Sequence, residues 1–173
     1  SFSILIFFQF NLKLNIKFSC ITFVILILSL NIFNDTSKMD LHSPYQNVSV
    51  KFNNNQLVPI TVQSNNIWLQ TPIDLSNEIN QKKNSAWHKF YIIPFTSTNY
   101  DFKDILIVGS GTGNDVATAI RYSKGNIDAV EIDPLVANLG EKFHPENPYS
   151  NSRVNLIIND ARNFIKEIDK KYD

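Results

Sequence analysis

The sequence predicts an α/β fold: the first half of an open parallel sheet with helices wound against it, preceded by a small antiparallel β meander and an N-terminal transmembrane segment. Two observations carry the sheet. Asp104-Ile-Leu-Ile-Val-Gly-Ser-Gly-Thr-Gly-Asn-Asp115 joins a continuous apolar run to a glycine turn, and Ala129-Val-Glu-Ile-Asp133 and Ile158-Asn-Asp-Ala161 each place an acidic residue where a strand ends. A third, the uncharged run Phe18 to Phe33, carries the membrane segment.

Ile105 to Val108 has the unbroken apolar character of a parallel strand covered on both faces. The chain then turns through Gly109, Gly111 and Gly113, residues that allow a tight turn and close approach of backbone to a ligand. From Asp115 to Tyr122, Val116, Ala119 and Ile120 recur at helical spacing, with Asn114 as the expected cap. The second strand ends in Glu131, the third runs from Val154 to Ile158, and helices are expected from Pro134 to Phe143 and from Arg162 to Asp169. His144 to Arg153 is a Pro-bearing loop expected to pack over the strand ends, and its His144 and Glu146 are too few ligands for a metal site.

Ahead of the sheet, Tyr45 to Phe52, Leu57 to Val62 and Ile67 to Gln70 read as strands, separated by turns at Asn53-Asn-Asn55 and Ser64-Asn-Asn66. Asp74 to Ser85 is a polar loop or short helix, and Ala86 to Phe95 leads into the sheet. The expected domains are residues 1–33 as membrane segment, 34–44 as linker, 45–85 as meander and 86–173 as the parallel-sheet domain. In residues 1–33 a signal peptide is the competing reading, but Asn31-Ile-Phe-Asn34 has no small-x-small cleavage site. The chain opens at Ser1 within an apolar run and stops at Asp173 where a fourth strand is due, so the expectation is a fragment.

Among 173 residues, 16 basic and 16 acidic side chains balance, and no basic cluster is present to neutralise phosphates, which argues against nucleic acid as a partner. The lone Cys20 excludes an intramolecular disulfide and a cysteine-based zinc cluster.

A dinucleotide site calls for G-x-G-x-x-G, and Asn114 stands in place of the third glycine. The observed G-x-G-x-G resembles the first motif of class I S-adenosylmethionine-dependent transferases, whose sheet is Rossmann-like. Glu131 is then the acceptor for the ribose hydroxyls, and the resemblance implies that Asp160 meets the adenine amino group. The implied cofactor set is Gly109, Ser110, Gly111, Thr112, Gly113, Glu131, Ile132, Asp160 and Ala161, with S-adenosylmethionine or its decarboxylated form as cofactor. Taken alone, each piece also has a plainer reading, as a turn or a helix cap.

A meander before such a domain narrows the resemblance. Ser43-Pro-Tyr45-Gln46, the hairpin ending in Gln70, Trp87-His88, Val130-Glu-Ile-Asp133, Arg153-Val154 and Asp160-Ala161 resemble the spermidine synthase (polyamine aminopropyltransferase) family. Gly109 to Asp115, Val130 to Pro134 and His144 to Tyr149 resemble bacterial membrane-bound spermidine-synthase-like proteins. The resemblance implies a small-molecule acceptor such as a polyamine, a pocket bordered by Tyr45, Gln46, Gln70 and His88, and a cytoplasmic transferase domain attached to a membrane; oligomerisation stays open. Tyr45 as a core aromatic and His88 as a structural histidine remain alternatives.

Two departures matter. Thr112 stands where aminopropyltransferases carry an Asp facing the cofactor's charged tail, and Lys89 follows His88 where they carry Glu. The family's acid-base Asp would lie beyond Asp173, so no catalytic residue is assigned. A methyltransferase and a non-catalytic cofactor-sensing module of a membrane protein are the alternatives.

Overall fold

The computed structural model describes residues 37–98 and 100–173. The expected membrane segment, residues 1–33, lies outside them, and among the described residues no helix is long and apolar enough to cross a membrane.

Four antiparallel strands form the meander: β1 (Lys38–His42), β2 (Asn47–Phe52), β3 (Ile60–Ser64) and β4 (Ile67–Gln70), in spatial order β1-β2-β3-β4. Strand β1 corrects the linker reading of residues 34–44. It pairs with β2 from Lys38↔Lys51 to His42↔Asn47, and Leu41 is packed against the buried cluster beneath the meander. Five residues with a polar side chain at every second place are a faint signal, easily read as a polar linker. The β3–β4 hairpin turns through Asn65 and Asn66, both left-handed with φ 49° and 64°, as a two-residue primed turn requires.

Strict alternation sends Val48 and Val50 of β2 and Ile60 and Val62 of β3 inward, each at most 1% exposed. They pack with Leu139 of a later helix (Pro134–Phe143). Each such side chain contributes about 1.5–3 kcal/mol on burial, so the meander is bonded to the second half of the unit by its core. Residues 37–173 accordingly form one compact unit rather than a meander and a separate domain.

Two helices follow, α1 (Glu78–Lys83), capped by Asn77, and α2 (Ser85–Thr96). The second was not legible as a helix because Pro94, in its last turn, reads as a breaker.

Three parallel strands then alternate with helices: β5 (Asp104–Val108), α3 (Asn114–Tyr122), β6 (Asn126–Glu131), α4 (Pro134–Phe143), β7 (Val154–Ile158) and α5 (Ala161–Glu167). A single 3-10 turn, Pro148–Ser150, interrupts the loop before β7. Ile105, Val116, Ala119, Ile127 and Ala129 make the core between sheet and helix, as the apolar strand and the helical spacing predicted. Parallel register aligns Val108 with Val130 and Glu131 with Ile158. The glycine turn, Glu131 and Asp160 therefore emerge side by side at the carboxyl ends of the strands, where open α/β sheets bind ligands.

At the opposite end, Lys170 Nζ lies 3.0 Å from Asp104 Oδ1 and 2.8 Å from Asp128 Oδ2, and the Tyr172 hydroxyl donates to Asp128 at 2.9 Å. Burial pushes the Asp128 carboxyl up, but hydrogen bonds from Lys170, Asn155 and Tyr172 outweigh it and hold the group below the ordinary range.

Candidate functional site

The turn after β5 uses left-handed backbone at Gly109, Gly111 and Gly113, with φ 69°, 58° and 100°. At Gly111 there is a second constraint: a Cβ would lie 2.2 Å from Gln70 Oε1. Gln70 closes over the turn because its Oε1 accepts the Thr112 amide at 2.6 Å. Beneath the turn, the Tyr149 hydroxyl donates to Gly111 O at 2.7 Å and lies 3.0 Å from Ser110 Oγ. Burial pushes the Tyr149 hydroxyl far above its usual range, so it remains a proton donor.

Glu131 is 8% exposed, and both carboxylate oxygens are engaged. Oε2 accepts the Gly111 amide at 2.8 Å, and Oε1 accepts the Asp133 amide at 2.9 Å. Each oxygen retains a second acceptor site. The carboxylate lines a cavity of about 160 Å³ together with Gln46, Gln70, Gly109, Gly111 and Val136. A neighbouring cavity of about 300 Å³ shares Gly109 and is walled by Val108, Ile132, Asp160 and Ala161. One is polar with a buried carboxylate; the other offers an apolar wall with a carboxylate at its rim.

Asp160 caps α5 by accepting the Arg162 amide at 2.8 Å and pairs with the Arg162 guanidinium at 3.0 Å. Hydrogen bonds from Arg162 hold its carboxyl below the ordinary range. The plain cap reading of Asp160 is therefore real, and it coexists with a place on the groove.

Gly109, Ser110, Gly111, Gly113, Glu131, Ile132, Asp160 and Ala161 are thus gathered at one edge of the sheet, with Gln46 and Gln70 brought over from the meander. Three expectations fare differently. Thr112 has its side chain fully buried, and its hydroxyl has no hydrogen-bond partner among the described residues, so it does not face an open groove. Close packing of α4 accounts for this: a Cβ at Gly140 would fall 2.7 Å from Thr112 O. Tyr45 is 57% exposed at the surface. His88 bonds the Tyr122 hydroxyl at 2.9 Å, at the far end of α3, roughly 12 Å along the helix from the glycine turn. It is not brought together with the groove.

Asn114 does not cap its helix. Gly113 takes the cap position without a side chain, and Asn114 instead becomes a hub. Its Nδ2 donates to Thr71 O at 2.8 Å and to the Tyr91 hydroxyl at 3.0 Å, and its Oδ1 accepts the Ile73 amide at 3.0 Å. The ring of His144 lies 3.1 Å from the same Oδ1, while its Nδ1 accepts the Glu146 amide at 3.1 Å, which fixes the neutral Nε2–H tautomer. Burial lowers the His144 pKa to about 4, with the nearby Arg121 adding to the shift. Glu146 accepts the Leu75 amide at 2.8 Å and pairs with Arg121. The loop thus packs by its acid and imidazole, and no group of three or more metal-ligating side chains occurs among the described residues.

Sequence reading missed the role of Asp133, whose place before Pro134 signalled a helix start. It does cap α4, by accepting the Leu135 amide at 3.0 Å, but its other oxygen accepts from Ser43 Oγ at 2.7 Å and Gln46 Nε2 at 2.9 Å. A larger cavity of about 530 Å³ lies on the meander between Lys38, His42, Asn47 and Asn66. None of the groups just described lines it.

Comparison with known proteins locates this arrangement. The spermine/spermidine synthase domain matches residues 93–173. The polyamine aminopropyltransferase of Clostridium perfringens is 31% identical over 98 residues, 55% of this chain and 35% of the relative. That of Buchnera aphidicola from Acyrthosiphon pisum is 41% identical over 75 residues, 41% of this chain and 26% of the relative. The chain therefore matches about a third or less of these relatives' lengths. In fold, it resembles spermidine synthase from Thermotoga maritima, with TM-score 0.60 at 15% identity over 78% of this chain and 44% of the other. It also resembles a probable spermidine synthase from Corynebacterium glutamicum, with TM-score 0.50 at 17% identity over 75% and 47%. Its parallel strands, glycine turn and terminal acids thus lie, in this order, within the stretch 93–173 that matches the spermine/spermidine synthase domain.

Proposed function

We propose that this chain supplies the cofactor-binding part of an aminopropyltransferase-like enzyme, taking S-adenosylmethionine or decarboxylated S-adenosylmethionine across the carboxyl ends of β5, β6 and β7. The observation that carries the reading is Glu131, a buried carboxylate hydrogen-bonded to the glycine turn and lining a cavity that shares Gly109 with the apolar one beside Asp160. The donor chemistry fits. Glu131 offers acceptor sites for a ribose diol, Ile132 and Val108 offer faces for a purine, and the Asp160 carboxylate stands where an exocyclic amine would be received. A spermidine synthase sharing this fold binds the transition-state analogue AdoDATO, which supports a ligand of this class.

The bound cofactor would supply an electrophilic carbon next to a sulfonium. The chain's own residues would hold the nucleoside, keep the glycine turn closed through Tyr149 and Gln70, and exclude water from the buried carboxylate. Curated relatives that are polyamine aminopropyltransferases support a polyamine acceptor. Membrane attachment through Phe18 to Phe33 rests on the lack of charge there, and is tested by carbonate washing: recovery of the intact chain in the supernatant would reject it.

Methyl transfer is the second reading: no residue of the glycine turn, Gly109 to Gly113, is acidic, so the turn offers no anion to a cationic cofactor tail. Competition binding of both cofactors to the full chain separates them. Preference for the decarboxylated form supports aminopropyl transfer; preference for S-adenosylmethionine supports methyl transfer; failure to bind either rejects the cofactor site.

A further inference from the structure

Helix α2 carries Trp87, Phe90, Tyr91, Ile92, Ile93 and Phe95, which place apolar side chains around its whole circumference. That composition belongs to a core or a membrane rather than to a water-facing helix. Of these residues Tyr91 alone is buried, while Phe90 and Ile93 are 62% and 58% exposed. Beside the helix, the edge strand β4 exposes Ile67 (72%) and Trp68 (50%). The two elements present one surface: the Trp68 and Trp87 rings lie 5.7 Å apart, and Phe90 meets Trp87 edge-on at 6.4 Å. It is fixed from beneath, where Trp87 stacks at 6.1 Å on Tyr91, whose hydroxyl is held by Asn114.

A contiguous apolar surface of this kind marks an interaction site, and its charge indicates the partner. Lys89 stands one turn before Ile93 on α2, Lys82 and Lys83 end α1 just ahead of Trp87, and all three are exposed. From Ile79 to Tyr100, and along β4, no acidic residue occurs. In a chain of balanced charge this is a local excess of three cations. An isologous dimer would set these lysines against their own copies with no acid between them. A bilayer with anionic headgroups answers both features, since lysines meet the headgroups while tryptophan and phenylalanine rings settle at the headgroup boundary. The 12 residues of α2 reach about 18 Å, too short for a hydrocarbon core of about 30 Å, so the helix can lie on a bilayer but not cross it.

We propose that the face formed by β4 and α2, with Trp68, Trp87, Phe90 and Ile93 at its centre and Lys82, Lys83 and Lys89 at its rim, docks on an anionic lipid surface. The docking is interfacial and independent of the run Phe18 to Phe33. β4 also carries Leu69 and Gln70, which line the cavity beside Glu131, so the docked face borders the proposed cofactor site.

Trp68 and Trp87 are the two tryptophans of the chain, so tryptophan fluorescence reports on this face alone. The full chain is mixed with vesicles of phosphatidylserine and brominated phosphatidylcholine, or of brominated phosphatidylcholine alone, and followed by emission and by flotation. On the anionic vesicles the emission should shift to the blue, be quenched by bromine and become shielded from acrylamide; the zwitterionic vesicles should quench far less. Phe90→Ser/Ile93→Ser changes two exposed positions and should abolish the quenching. Lys82→Glu/Lys83→Glu/Lys89→Glu should remove most of it, as should about 1 M salt. Tryptophans that stay unquenched and open to acrylamide overturn the proposal, and flotation of such a chain leaves attachment through Phe18 to Phe33 standing. Undiminished quenching in either folded variant overturns it too, because the rings then reach lipid by another route. A blue shift that grows with protein concentration, without lipid and without bromine quenching, makes a second copy the occupant and overturns it as well. Should a variant lose its circular dichroism signature, the parent decides: equal quenching on anionic and zwitterionic vesicles overturns the proposal, and quenching confined to the anionic ones supports it.

Discussion

Glu131 Oε2 accepts the Gly111 amide at 2.8 Å, which makes the acid at the end of β6 and the turn after β5 one hydrogen-bonded unit. The bond is buried, and its other oxygen is held by the Asp133 amide. The carboxylate is thereby fixed before any ligand arrives, so less ordering entropy opposes binding.

Tyr149 underlies that unit. Removing its hydroxyl by Tyr149→Phe leaves Gly111 O and Ser110 Oγ without a buried partner. The expected cost is about 1–2 kcal/mol of stability, measured by denaturant unfolding, with faster amide exchange at Gly111. Wild-type stability and exchange would show that the turn does not depend on this bond.

His144 makes stability depend on pH. Its folded pKa, about 4, lies below the unfolded value of 6.5, so the unfolded chain takes up the proton first as pH falls. The contribution is fully present above pH 6.5 and is lost as pH falls through 4. Its ceiling is roughly 3 kcal/mol. Stability measured across this window should fall in the parent and fall less in a folded His144→Gln variant; identical slopes would contradict the assignment.

Thr112 offers an uncommon case in which removing a polar atom should help. Its buried hydroxyl lacks a partner, so the isosteric Thr112→Val should leave stability unchanged or raise it by about 1 kcal/mol. Cofactor affinity should be unaffected, because the side chain is buried away from the groove. A loss of more than about 1 kcal/mol would mean the hydroxyl is bonded after all.

The contrast between Glu131 and Thr112 shows how much of the site was legible. Glu131, Asp160 and the glycines were readable because strand ends in a parallel sheet converge, so three local patterns fix one edge. Thr112 was misplaced because the resemblance supplied its position but not the packing of Gly140 against it. His88 has the right neighbours in sequence, yet a helix rather than a strand carries it, and it meets Tyr122. Strand β1 and the clasp of Asp133 with Ser43 and Gln46 depend on partners outside their own segment, about ninety residues away for the clasp, which no local period encodes.

The central claim is that Glu131 holds the nucleoside, and calorimetry of S-adenosylmethionine and its decarboxylated form on the full chain and on Glu131→Ala tests it most directly. Loss of a charge-assisted acceptor should weaken binding of whichever cofactor the parent takes by about 1.5–3 kcal/mol, with the fold retained by circular dichroism. Undiminished affinity in a folded Glu131→Ala chain would contradict it.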